Sequence, residues 1–483
     1  MYPSNLLFIC SDEHRRDASG CYGNPLVQTP HLDALAGRGV CFDNAYTNCP
    51  ICVPSRGSLA TGRYAHQIRL WDNAFPYTGG HPAWGHRLQA QGYRVDSIGK
   101  LHYRRAEDDD GFDEKIDAMY VAEGIGELIS CIRENPPLRK GRNGILSAGP
   151  GESSYLRYDA RIAERASGWL ADHAQDEKPW VLFASFVNPH PPMLAPQPLY
   201  DLYPVDDMPL PVDWQASDWP RHPALDRMRR YFGWEEPFDA AAIRKATATY
   251  YAQCSYLDQK IGQVLSALDA NGLTDNTCII YTSDHGAMLG THGLWGKFTL
   301  YDDSCGVPLI VAGPDVPTGK VVQTPVSLVD CFPTILEAVG AESHPDDADL
   351  PGESLWGIAN GPQRERFVFS EYHAAGSLHG AFMLCDGHTK FIHYHHEPAH
   401  LFDLDNDPQE RVNLADSPVH RPLRQRMESH LAGLVDVEAV DRLAKADQAA
   451  KLEEYGGEEA VLRRGLSNSA IPGEKPLFQR VER

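Results

Sequence analysis

Short apolar runs alternate with stretches of helical periodicity over most of the chain. LLFIC (6–10) precedes PHLDALAGRG (30–39), and HRLQAQG (86–92) leads into YRVDSIGK (93–100). PWVLFASF (179–186) comes before a long helical pattern from Ala248 to Gly272, and CIIYTSDHG (278–286) and VPLIVAGP (307–314) follow it. Alternation of this kind predicts an α/β fold, a mainly parallel sheet sandwiched by helices. Ligands of such sheets sit beyond the carboxyl ends of the strands. Polar clusters begin where the apolar runs stop: SDEHRRD after LLFIC, GKLHY after VDSI, NPHPPM after LFASFV, and SDHG after CIIYT. They are expected on one rim.

The Pro-rich, acidic stretch from about Met193 to Glu236 has little periodicity and reads as a long active-site loop or inserted cap. Near residue 365 the pattern changes to the short strands FVFSEYH, GAFMLC and KFIHYHH, then the turn-rich HLFDLDNDPQERVNLAD and a charged helix. This predicts a catalytic domain over 1–364 and a smaller antiparallel sheet with a packed helix over 365–455. Residues 456–483 mix GG, RRGLSNS and IPGEKP and read as an extended tail, suited to lie across a neighbouring subunit of a homo-oligomer.

Composition narrows the function. Of 483 residues, 42% are hydrophobic and 10% aromatic, and no apolar run is long enough to cross a bilayer. With 44 basic and 66 acidic side chains the formal charge is −22, which argues against nucleic acid or an anionic membrane as the main partner. Eleven cysteines without paired spacing fit a reducing cytoplasm, and LLFIC reads as a first strand and not a signal peptide.

The chemistry turns on NCPICVPSRGS (48–58). Cys49 and Cys52 form a C-x-x-C, but nothing else in the chain supports the small strand–helix domain in which a redox dithiol normally sits, and a zinc site would need two more ligands that the isolated cysteines do not supply. The alternative is that Cys52 opens Cys52-Val53-Pro54-Ser55-Arg56, followed by Ala60-Thr61-Gly62-Arg63. That signature resembles the type I sulfatases of the alkaline phosphatase superfamily, in which the C-x-P-S-R cysteine is oxidised by a maturation enzyme to formylglycine. The resemblance implies nucleophilic catalysis by a hydrated aldehyde, whose second hydroxyl expels the product without a second attack on sulfur.

The same resemblance assigns roles to other residues. Asp12, Glu13, Asp284, His285 and the modified Cys52 match the family's binding site for one divalent ion, for which calcium, magnesium or manganese are candidates. Lys100 and His102 in GKLHY resemble a pair in which the lysine binds sulfuryl oxygens and the histidine is the base for product release. His190 and Lys297 resemble groups that neutralise and protonate the leaving oxygen, and Arg56 one that orients the formylglycine. His66, Trp71 and His292 are as well explained by packing, and Tyr301 and Asp302 read as structural.

RLWDNAFPY and SDHGAMLGTHGLWGKFTLYDDS are most similar to the choline-sulfatase and phosphonate-monoester-hydrolase branch. The expected activity is hydrolysis of aryl or alkyl sulfate monoesters, with choline sulfate one candidate. The alternatives are phosphonate monoester or phosphodiester hydrolysis at the same site, or an inactive binding protein. GKLHY favours sulfate, because phosphonate hydrolases of the branch tend to carry tyrosine and threonine in place of this lysine and histidine. SCGVPLIV departs from the family at Gly306, where relatives usually carry arginine.

Overall fold

The computed structural model describes residues 4–481. Its centre is an eight-stranded sheet in the order Lys320–Val322, Gly39–Phe42, Leu309–Ala312, Thr277–Ser283, Asn5–Asp12, Trp180–Pro189, Arg94–Lys100, Glu114–Met119. Seven of these run parallel, and only Leu309–Ala312 is antiparallel to both its neighbours. The expected mainly parallel α/β sheet is therefore present.

Both faces of the sheet are covered, which is why its strands read as continuous apolar runs and not as alternating ones. Leu6, Phe8 and Cys10 pack on one side with Val181, Phe183, Trp84 and Ile335. Leu7 and Ile9 pack on the other with Leu182, Leu257 and Ile261. That second side is roofed by the helices Ser154–Asp172 and Ala240–Ala270, which start at serine and aspartate caps: Ser153 accepts from Leu156 N and Asp239 from Ala242 N.

The second sheet is an antiparallel meander of Val368–Tyr372, Ala381–Cys385, Thr389–Tyr394 and His400–Asp403. Its fourth strand lies in HLFD, at the start of the segment that read as turns. Phe369, Phe382, Leu384 and Phe391 face the helix Arg421–Leu434, while Val368, Met383, Cys385 and Ile392 face the main body. A second helix, Val437–Glu454, begins at the Asp436 cap, where one packed helix was expected. The sheet also fastens the loop before Cys52, since Glu371 N donates to Asn48 O at 2.9 Å and Asn48 Nδ2 to Phe369 O at 3.0 Å.

The stretch 193–236, expected as a loop or cap, carries the helix Pro223–Phe232 and packs Met208, Leu225, Met228 and Trp234 into the core. Beyond Gly456 the chain forms the helix Glu458–Arg464 and a hairpin of Leu466–Asn468 with Leu477–Gln479, where an extended tail was expected. All eleven cysteines are free thiols. Among the described residues no helix is long and apolar enough to cross a membrane.

Candidate active site

Parallel strands bring their carboxyl ends to one rim, and the four polar clusters meet there. In register, Ser11 lies beside Ser283, and Asp12 beside Pro189, the residue before His190. Lys100 ends the next strand, and Gly99 before it has φ 99°, with a Cβ there falling 2.2 Å from Ser185 O. Only glycine permits that approach, which carries Lys100 over Asp12.

Cys52 is the first residue of the buried helix Cys52–Thr61. Ser55 and Arg56, three and four positions on, share its face of the helix and bind it to the sheet. Ser55 Oγ donates to Asp284 O at 2.6 Å, and Arg56 donates to Asp284 Oδ2 at 2.8 Å, Asp12 Oδ2 at 3.2 Å, Lys100 O at 2.8 Å and Ser185 Oγ at 2.9 Å. Cys52 is not among the partners of the guanidinium. Arg56 instead clamps two carboxylates that would otherwise repel each other.

Around the Cys52 thiol, Lys297 Nζ lies at 3.1 Å, His285 Nε2 at 3.4 Å and Asp12 Oδ1 at 3.8 Å. The thiol marks the place an oxygen nucleophile would take after conversion. Asp12, Cys52, Asp284 and His285 are all buried, and each offers a ligand atom within 4.8 Å of the others. His285 Nδ1 faces Gly286 O at 3.0 Å, so Nδ1 carries a hydrogen and Nε2 points into the cluster, the orientation a metal ion needs. Burial opposes a charge on His285, but Asp284 beside it outweighs that and lifts its pKa to about 9, so a divalent ion held at Nε2 would take the place of a proton there. Two carboxylates and a correctly aimed imidazole fit a divalent cation.

Glu13 stands at the edge of this group. Its φ is 67°, its amide donates to Asp284 Oδ1 at 3.2 Å, and its Oε2 lies 3.0 Å from Lys297 Nζ and 3.8 Å from His190 Nε2. It falls in a second cluster with Asp12 and His190. Burial pushes the Asp12 carboxyl up, but Lys100, His190, Lys297 and Arg56 together hold it well below the usual range.

Two histidines complete the site. His102 has φ 61°, and Nε2 meets Ser469 Oγ at 2.7 Å while Nδ1 is buried without a partner. His190 donates Nδ1–H to Pro191 O at 2.7 Å. Burial lowers both pKa values well below the ordinary histidine value, helped by Lys100 at His102 and by Lys297 at His190. Glu13 and His102 are thus both left-handed, so the rim holds backbone strain at two residues of the candidate site.

Cys52, Lys100, His102, His190 and Lys297 open into a cavity of about 820 Å³. Asn73, Tyr155, Phe232, Trp234 and the hairpin residues Ser467 to Ile471 also line it. None of these was singled out in the sequence; Asn73 lies within the motif RLWDNAFPY, but Tyr155 and Ser469 carry no motif. His66, Trp71 and His292 lie elsewhere: His66 binds Glu371, Trp71 Nε1 donates to Asp447, and His292 Nε2 faces Gln409 O. Cys49 is a core residue whose thiol is pushed well above its ordinary pKa by burial.

Gly306 also has a structural counterpart. A Cβ there would lie 3.3 Å from Cζ of Arg16, whose guanidinium is paired with Asp302. Arg16 thus brings a positive charge to the space beside position 306.

A sulfatase family model matches residues 4–341, and a model described as the C-terminal part of N-sulphoglucosamine sulphohydrolase matches 290–436. Choline-sulfatase of Rhizobium meliloti (strain 1021) is 30% identical over 93% of this chain and 90% of its own length. Arylsulfatase K of Xenopus laevis is 27% identical over 90% and 82%. Among solved structures, the phosphonate monoester hydrolase of Agrobacterium radiobacter superposes with a TM-score of 0.72 at 23% identity, covering 99% of this chain and 100% of that one. The match of family and fold over nearly the whole chain means that this protein belongs to the sulfatase family of the alkaline phosphatase superfamily and is a hydrolase acting on sulfuric esters.

Proposed function

We propose that the protein hydrolyses aryl or alkyl sulfate monoesters with a formylglycine nucleophile made from Cys52. The observation that carries this is the pair of buried ammonium groups at the cavity floor: Lys297 against Cys52 Sγ, and Lys100 against Asp12. Burial opposes their charge, but Asp12 keeps Lys100 protonated, and the Glu13 and Asp12 carboxylates, which remain once Cys52 is converted, do the same for Lys297. Both therefore present N–H donors to sulfuryl oxygens in a site of low dielectric, where such donors act most strongly.

Asp12, Asp284 and His285 would hold the divalent ion, with Glu13 at its edge. When bound, it would lower the pKa of the nucleophilic hydroxyl and offset charge on a sulfuryl oxygen. An imidazole among carboxylates favours manganese over calcium. Arg56 pairs with both Asp12 and Asp284 and holds the two carboxylates in place. His190 and Lys297, which approach the same Glu13 oxygen at 3.8 and 3.0 Å, are the groups for the leaving oxygen, and neutral His102 is available as a base at Nδ1.

The leaving alcohol is read from the cavity walls. Phe232 and Trp234 stack with centroids 4.5 Å apart, a surface suited to an aryl or other flat group. Of the glutamates that line the cavity, Glu13 and Glu127 are paired with Lys297 and Arg139, and Glu474 lies 3.9 Å from Arg157, so each already faces a cation of the protein. This favours an aryl or uncharged alkyl sulfate over choline sulfate. Phosphonate ester hydrolysis is the second reading, supported by the likeness to phosphonate monoester hydrolases. The free thiols suit a cytoplasmic setting.

The test is to produce the chain with and without a coexpressed formylglycine maturation enzyme. Sulfate release from nitrophenyl sulfate should rise in proportion to the converted fraction of the Cys52 peptide measured by mass spectrometry. Equal activity in the fully unconverted protein would overturn the reading.

A further inference from the structure

The hairpin of residues 466–479 is remote in sequence from the catalytic rim, yet it closes over the cavity of its own chain. Ser467 Oγ donates to Gly126 O at 3.1 Å, and Arg464 pairs with Glu123 at 3.0 Å, anchoring its base. At its turn, Ser469 makes two contacts that bear on chemistry. Its Oγ lies 2.7 Å from His102 Nε2, and its carbonyl accepts from Tyr155 OH at 3.2 Å. Tyr155 in turn packs its ring edge-on against His190, with centroids 6.0 Å apart.

The contact at Nε2 decides the state of the imidazole. His102 Nδ1 is buried and has no partner. If Nδ1 carried the hydrogen, a buried N–H would be left orphaned, the rarer and costlier defect. With the hydrogen on Nε2 and donated to Ser469 Oγ, Nδ1 keeps its lone pair. The backbone of His102 is itself held in a left-handed conformation that non-glycine residues adopt only under constraint.

We propose that Ser469 is a positioning residue: it fixes the tautomer and orientation of His102, and through Tyr155 it braces His190. The C-terminal hairpin is then a working part of the active site. This rests on the reading of His102 as a base in the proposed function.

Three variants of the full chain, all produced with the maturation enzyme, test it: Ser469→Ala, Ser469→Thr and His102→Ala. The first readout is kcat and KM on nitrophenyl sulfate. The second is the rate at which diethyl pyrocarbonate labels His102, followed by peptide mass spectrometry on the unconverted protein. Ser469→Ala should lower kcat about tenfold with KM within about twofold, a part of the usual contribution of a proton-transfer group. It should also speed labelling of His102 several-fold, while Ser469→Thr resembles wild type on both counts. Wild-type kcat in Ser469→Ala, or equal labelling in all the chains that keep His102, would overturn the proposal. If His102→Ala loses activity and Ser469→Ala does not, only the role of Ser469 fails. If His102→Ala itself turns over normally, the reading of His102 as the base fails.

Discussion

Lys297 Nζ stands 3.1 Å from Cys52 Sγ. It is the ammonium group beside the proposed nucleophile, and Glu13 pairs with it at 3.0 Å. Lys297→Met should therefore lower kcat on nitrophenyl sulfate by about 10²–10³, the size of effect seen when one buried donor to a developing oxyanion is removed. Steady-state kinetics on fully converted protein check this. A loss confined to KM would mean that Lys297 binds substrate without acting in the chemical step.

Arg56 makes four hydrogen bonds to three side chains and one carbonyl. Lysine cannot reproduce that fork, and Asp12 and Asp284 would be left facing each other. Arg56→Lys is expected to destabilise the protein by about 3 kcal/mol, as for other buried ion pairs stripped of a partner. Urea unfolding of the purified variant gives the number. Retention of wild-type stability would show that the clamp is dispensable.

The cluster of Asp12, Asp284 and His285 predicts metal content as well as activity. Elemental analysis should find one divalent ion per chain, lost on chelation and restored better by manganese than by calcium. Asp284→Asn should bind less than wild type under the same conditions. Unchanged occupancy in that variant would place the ion elsewhere.

Glu371 is buried between His66 and His373, at 2.9 Å from each, and supports the loop that leads to Cys52. Burial raises its pKa, but His66 and His373 outweigh this and depress it strongly from 4.5; Glu371 outweighs burial at His66 and raises that pKa from 6.5. A depressed carboxyl stabilises the fold above its unfolded pKa and loses that contribution as acid is added. A raised histidine stabilises below its unfolded pKa and loses the contribution as pH rises. The pair is thus fully formed between about pH 4.5 and 6.5. Glu371→Gln should cost about 3 kcal/mol in that window, with the difference from wild type narrowing on either side. Denaturation curves over pH 3 to 9 would show it, and a constant difference would contradict the assignment.

Much of this was readable in the chain because parallel strands make their own geometry legible. Once LLFIC, VDSI, LFASFV and CIIYT are strands of one sheet, Asp12, Lys100, His190 and Asp284 must share a rim. Cys52, Ser55 and Arg56 are related by helical spacing, so C-V-P-S-R could be read as one face. What escaped the reading depends on contacts with no local pattern. Arg56 was expected to hold the nucleophile, but its strongest partners lie 228 and 44 residues away, at Asp284 and Asp12. Ser469 meets His102 across 367 residues, and nothing in RRGLSNS distinguishes an arm from a hairpin that folds back. HLFD was hidden because its strand is short and runs directly into a turn.

The reaction itself is tested most directly by initial rates on two substrates with one nitrophenyl leaving group, a sulfate monoester and a phenylphosphonate monoester, with Cys52→Ala as control. Lys100, His102 and Lys297 arranged as described predict a kcat/KM for the sulfate at least about tenfold above that for the phosphonate, and loss of both activities in Cys52→Ala. Preference for the phosphonate, or undiminished sulfate hydrolysis by Cys52→Ala, would contradict the account.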